Sequence, residues 1–265
     1  MMCCFSVATP IGLVARLFQR PVHVSATNIL ARMIAPGVQG LAYSMNLETA
    51  QEIAMVLPLP VVPGSGDDAV AFVDLAKDHA MFSHLAMLFE VMQPLAAKGG
   101  FQFRSAVPKR LVVHQVGSFI ASYVPSRADF ARLDPRFRLP DVLFDAVPHY
   151  ADYGFAVFQL APGKVTVHPM ALKFPTRTPE KLFFPTVHVH DGRFHAKAKF
   201  DHALYYQTPR CTKPGELMPF AMFEGDGLGW SAPTKDYAGL VVPAQAMLRR
   251  TLRGKHANED TWIAA

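Results

Sequence analysis

Cysteine is scarce in this chain, and Cys3, Cys4 and Cys211 make no disulfide framework, since two of the three are neighbours and adjacent cysteines rarely bridge without strain. Reduced thiols and a cytoplasmic setting are expected. Charge is thin as well: 18% of residues are Asp, Glu, Lys or Arg, and the net +5 is scattered. The one basic cluster, Arg249, Arg250, Arg253 and Lys255, reads as the solvated face of a terminal helix, so nucleic-acid binding has no support. No apolar run approaches the ~20 residues of a membrane span, because Arg16, Arg20, Arg32 and frequent prolines interrupt each candidate. The apolar start from Met1 to Ala15 lacks a basic leader and contains a proline, which argues against a secretory signal. There is no Gly-x-Ser-x-Gly elbow. The glycine cluster Gly225 to Gly229 follows no clear strand and opens no clear helix, so it is not a phosphate loop.

What is present is apolar and extended. Half of the 265 residues (51%) are hydrophobic, enough to bury a large core as a single domain, or as two β-rich halves (about 1–100 and 101–265) that share one. Strand-like runs occur at Val22 to Arg32 and Val38 to Met45 around a turn at Ala35-Pro36-Gly37, then at Gln51 to Val61, Arg110 to Tyr123, Tyr153 to Leu160 and Val165 to Phe174. Further runs cover Leu182 to His190, Arg193 to Phe200 and Ala203 to Gln207. Helical signals are few: Ala69 to Ala76 capped by Asp67 or Asp68, an amphipathic stretch from Ala80 to Gln93, short turns within Arg127 to Pro148, and a terminal helix from Ala244 to Arg253. The polar and aromatic group Asp145, His149, Tyr150, Asp152 and Tyr153 caps a turn or lines a pocket. No strand–helix alternation is present, so the fold class is β-rich α+β, mostly antiparallel hairpins with a few packed helices.

In its order of elements the chain is similar to an uncharacterised bacterial family, a domain of unknown function with cysteines near its start. The resemblance runs over roughly residues 3–200, through Cys3-Cys4-Phe5, the hairpin from Val22 to Met45, the phrase Glu52 to Pro60 and the strand Tyr153 to Leu160. It implies a fold and no activity. Here the N-terminal cysteines are an adjacent pair, and the histidine-rich stretch described next belongs to this chain alone.

Asp191-Gly192 is a strong hairpin signal, and a two-residue turn there pairs His188 with His195 and sets His190 beside them on one face. Directly opposed residues lie roughly 4.5–5.5 Å apart at Cβ, so two or more imidazoles could share a metal ion. His168 on the preceding strand, His202 beyond the hairpin and a thiolate from Cys4 extend the candidate ligand set, and copper or zinc suits such donors. Asp201 would orient an imidazole, and Tyr205 would take part in copper redox chemistry. Against this, Lys197 and Lys199 share the histidine face, as on any strand with one wet side. A second reading makes Cys3 the nucleophile of an amide hydrolase, its α-amine serving as base once the methionines are removed. A third is a non-catalytic binding protein. A small-molecule or peptide partner is expected, without nucleic acid or membrane.

Overall fold

The computed structural model describes residues 3–7, 22–89, 120–139, 141–189, 193–209, 226–228 and 233–265. Fourteen strands are β1 (Cys3–Val7), β2 (His23–Ala35), β3 (Val38–Thr49), β4 (Ile53–Leu59), β5 (Ala71–Val73), β6 (Ile120–Val124), β7 (Gly154–Leu160), β8 (Gly163–Pro175), β9 (Lys181–Phe184), β10 (His188–Val189), β11 (Lys197–Tyr206), β12 (Asp226–Leu228), β13 (Leu248–Ala257) and β14 (Thr261–Ala264). Two short α-helices, α1 (Met81–Met87) and α2 (Asp141–Ala146), and a few 3₁₀ turns complete the described residues. The β-rich, mostly antiparallel expectation holds in that form.

Two sheets stack. The first runs β10-β1-β4-β7-β6 and the second β12-β13-β11-β2-β3-β8-β5, with β9 and β14 as a separate pair. Among the described residues, only β1–β10 and β2–β11 are parallel. Strand β4 explains the layering: Ile53, Met55, Leu57 and Leu59 join the core between the sheets, whereas Ala54 and Val56 face a second cluster built by Phe130, Phe137, Leu143 and Phe144 of the short helical segments. Burial on both faces is why this strand reads as an unbroken apolar run. The outer face of the second sheet carries a third cluster, in which Leu30, Ala42 and Tyr205 meet α1 and the segment around Tyr237, Leu240 and Met247. Gly40 lets that segment approach, for a Cβ there would lie 2.7 Å from Leu240 Cδ2 and 2.9 Å from Ile34 Cγ2.

Three local expectations fail for tertiary reasons. Ala244 to Arg253 is no helix: from Leu248 onward it is β13, zipped along the whole of β11 from Tyr206↔Leu248 to Lys197↔Ala257. Its Met, Leu and Arg content favours a helix only weakly, and a ten-pair ladder outweighs that preference. Residues 69–76 form β5 against β8 and then a 3₁₀ turn. The stretch expected as one hairpin is divided among partners, with β9 on β14, β10 on β1 and β11 on β13 and β2. Much of the expected Arg110 to Tyr123 strand lies outside the described residues, which resume within β6.

Candidate functional site

Near its start β2 is irregular. Its register against β3 shifts between Ser25 and Asn28, and Ala26 takes a positive φ of 48°. The Ala26 N–H turns toward β11 and donates to Asp201 Oδ2 at 3.0 Å, while Asn28 Nδ2 donates to the Ala26 carbonyl at 2.8 Å. Pairing between β2 and β11 therefore begins only at Thr27↔His202 and runs on to Ala31↔Tyr206. Ahead of that point the strands part around a cleft of about 420 Å³, lined by Val24, Ser25 and Thr27 on one side, Lys197, Ala198, Lys199 and Asp201 on the other, and His188, His195 and His202.

The imidazoles here are held by each other and by packing. His202 is buried, and its Nδ1 accepts the Asp201 N–H at 3.1 Å. In the neutral ring the proton then sits on Nε2, which points at His188 Nε2 3.4 Å away. Both rings lie against Phe200, with centroids at 4.5 Å for His188 and 5.2 Å for His202.

A second polar group ties down the strand that carries His188. Asn258, itself buried, accepts the His188 N–H at 2.6 Å and donates to the carbonyls of His188 (2.9 Å) and His195 (2.8 Å). One carboxamide thus does the work of a short ladder between the segments once expected to pair directly. Asp260 Oδ1 accepts the main-chain N–H of Thr186 (2.8 Å) and Val187 (3.3 Å), and Oδ2 accepts the Tyr150 hydroxyl. Burial pushes the Asp260 carboxyl above the ordinary aspartate range, against the pull of those donors. The aromatic group seen in sequence is structural here: Tyr150 reaches Asp260, and Asp152 pairs with Arg177 at 2.5 Å.

The metal reading is corrected by this arrangement. Among the described residues no group of three or more His, Cys, Asp or Glu side chains is placed to hold an ion. The facing nitrogens of His188 and His202 share a hydrogen bond, the Asp201 carboxylate turns to Ala26, and Lys197 and Lys199 line the same cleft and would repel a cation. His168 sits elsewhere, on β8, where burial lowers its pKa and Asp74 and His79 are its charged neighbours. His190 lies outside the described residues, as does Cys211. Copper and zinc lose their basis.

The remaining candidates are dispersed. Tyr205 is buried outside the cleft, its ring near those of Phe82 and Phe89 at 5.9 and 6.0 Å. It stands about 13 Å along β11 from Asp201 at the usual strand rise. The backbone of β1 does reach the histidine segment, with Cys3 opposite His188 and Cys4 opposite Val189, a parallel pairing that no local pattern announced. Sequence reasoning passed over Asn258, Asp260 and Gln39, whose polar side chains recognise main chain far away in sequence. A buried polar residue inside an apolar stretch, as Gln39 is, was the available signal.

Two antiparallel-rich sheets packed face to face, flanked by short helices and carrying buried polar side chains that hold distant main chain and a cleft lined by lysines and histidines, make a β-rich scaffold. No protein-family model and no curated protein sequence matches the chain. Among solved structures it is similar to baculovirus P35, with a TM-score of 0.51, 12% identity, and coverage of 92% of this chain and 97% of that one. P35 in a complex with caspase-8 aligns at a TM-score of 0.45 and 11% identity, over 91% of this chain and 96% of that one. A mutated P35 after caspase cleavage aligns at 0.43 and 11%, over 91% and 99%. At these identities the likeness is one of fold. No helix of the described residues is long and apolar enough to cross a membrane.

Proposed function

We propose that this chain is a protease-binding protein that works by forming a complex with its target, in place of the metal-binding role expected from the histidines. One observation carries the reading: the fold likeness to P35 extends over nearly the full length of both chains, at 92% and 97%. P35 has been seen in complex with caspase-8, and a mutated P35 after caspase cleavage. The surface supports the same view. The exposed turn from Val62 to Asp68, Val-Pro-Gly-Ser-Gly-Asp-Asp, has the small and polar composition at which proteases nick folded chains. Its Asp67 is tied by two hydrogen bonds of 2.8 and 2.5 Å to Arg132, which links the turn to the 3₁₀ segment Arg127–Arg132.

The test is to incubate the full chain with active caspases and with representative serine and cysteine proteases, following residual peptidase activity, complex formation by native mass spectrometry, and chain cleavage by intact mass. Stoichiometric loss of activity in one protease class, with a complex of the summed mass, is expected. Proteases that keep full activity beside a molar excess of the chain and form no complex would overturn the proposal.

A further inference from the structure

The outward face of β11 and β13 carries a charge arrangement that the fold itself does not need. The ladder sets Lys199 opposite Lys255 and Asp201 opposite Arg253, with Lys197 one step further along the same face. Because the Asp201 N–H turns to His202 Nδ1, it points away from β13. By the period of two, Asp201↔Arg253 and Lys199↔Lys255 are the narrow, non-hydrogen-bonded pairs, whose side chains stand closest. Like charges directly opposed in such a pair destabilise a sheet. Lys197, Lys199, Arg253 and Lys255 are all exposed, and among the described residues none of the four makes an ion pair. The single acid of the strip, Asp201, is occupied by Ala26.

The same geometry leaves a strand edge open. Asp201, Lys199 and Lys197 direct their main-chain groups away from β13, toward the β2 side. There β2 pairs only from Thr27 onward. Among the described residues nothing pairs with the main chain of Lys197 and Lys199 on that side, and the 420 Å³ cleft lies there. An open edge is a template for another chain.

We propose that this cleft and the basic strip beside it bind an acidic, extended segment of a partner protein, which adds as a short strand to β11 at Lys197 to Lys199. Main-chain hydrogen bonds supply the common part of the affinity, and carboxylates reaching Lys197, Lys199, Arg253 and Lys255 supply the selectivity. The anionic partner also relieves the Lys199–Lys255 opposition. The residues involved are separate from the Val62 to Asp68 turn, so this surface stands or falls independently of the protease reading.

The experiment is fluorescence anisotropy of the full chain with a labelled short peptide of alternating glutamate and valine. Saturable binding that weakens with added salt is expected. Lys197→Glu combined with Lys199→Glu should weaken it at least about tenfold, with a thermal midpoint no lower than that of the parent because the cross-strand repulsion is gone. Should that variant melt early, Lys197→Gln with Lys199→Gln keeps the side-chain length and is expected to give the same direction of loss. Methylating the peptide amides that face the strand should also abolish binding. The proposal is overturned if the peptide does not bind, if a lysine–valine peptide binds as well, or if either lysine variant or the methylated peptide binds as tightly as the parent. It is equally overturned if a single-stranded oligonucleotide or inorganic phosphate of matched charge displaces the peptide at lower concentration than the unlabelled peptide does.

Discussion

The β2–β3–β8 ladder and the segment from Leu182 to Val189 are built on different principles. In the ladder, main chain recognises neighbouring main chain over ten or eleven residue pairs on each side of β3, and alternate side chains fill the cores. From Leu182 to Val189 the chain is fixed largely by side chains from elsewhere: Gln39 brackets Phe183 with bonds of 2.8 and 3.0 Å, Asp260 takes Thr186 and Val187, and Asn258 takes His188. Gln207 repeats the device on Val242, donating to its carbonyl and accepting its N–H. A ladder spreads its loss over many equivalent bonds, whereas a clamp concentrates it in one residue. Single substitutions should therefore cost most at the clamps.

Asn258→Ala is the largest expected effect. It leaves one part-buried N–H and two carbonyls without their partner, and at about 1 kcal/mol for each the loss is about 3 kcal/mol, roughly 6 °C in Tm for a chain of this size. Chemical denaturation measures the total, and hydrogen exchange should show the His188 amide opening well ahead of the ladder. Equal acceleration throughout the second sheet would erase the distinction between clamp and ladder. Gly40→Ala ranks next. The atoms that the added methyl would crowd, Leu240 Cδ2 and Ile34 Cγ2, belong to side chains, so the Tyr237 to Val241 segment gives way and the cost is about 2 kcal/mol by the usual penalty for overpacking. Proteolysis should then become faster in that segment, with β2 and β3 remaining protected.

The same contrast decides how much was legible beforehand. Ladder strands announce themselves through local alternation and turn chemistry: Pro36-Gly37, with Gly37 at φ 70°, marked the β2–β3 turn, and the apolar runs marked β4, β7 and β8. The Asn258 clamp has no local signature, because its partner His188 is 70 residues away in sequence. The histidine stretch misled for that reason. Its composition suggested a hairpin closed by its own turn, but β10 took β1 as its strand partner and Asn258 as its brace. The cleft was half visible: Lys197, Lys199 and the histidines were recognised as one wet face, whereas the open edge depends on the irregularity at Ala26, a residue whose side chain gives no hint of a positive φ. Likewise β13 was hidden by helix-forming residues until its partner β11 was in place.

A smaller effect separates the charge on a clamp from its shape. Burial raises the Asp260 pKa above its unfolded value, near 3.9, so the folded state holds this proton to higher pH than the unfolded chain. The corresponding stability is complete below the unfolded value and is lost as pH rises through the folded one. Asp260→Asn keeps an oxygen for the Thr186 and Val187 amides and removes the titration. The stability difference, parent minus variant, should therefore fall as pH is raised from about 4, by roughly 1.4 kcal/mol for each pH unit that separates the two pKa values. Urea melts of both proteins across that range measure it. A difference that stays level with pH would mean that the Tyr150 hydroxyl and the two amides compensate the buried charge in full, leaving the Asp260 clamp a matter of hydrogen-bond geometry alone.

The smallest expected effect is at a buried polar group that clamps nothing. The Tyr123 hydroxyl, in β6, is buried without a hydrogen-bond partner among the described residues and lies over Gly154, where a Cβ would come within 2.5 Å of it. Burial together with the Asp129 and Asp67 charges pushes the phenol above its ordinary range, so it stays neutral. Tyr123→Phe removes an unsatisfied donor and keeps the ring, and should leave stability unchanged within ~0.5 kcal/mol or raise it slightly. The same deletion of polar atoms at Asn258 is costly because main-chain partners are left behind. At Tyr123 none is left behind, so polar burial stabilises this fold only where a distant strand receives the hydrogen bond. Thermal melting of the two variants side by side is the direct comparison, and a loss at Tyr123→Phe as large as that at Asn258→Ala would remove this distinction.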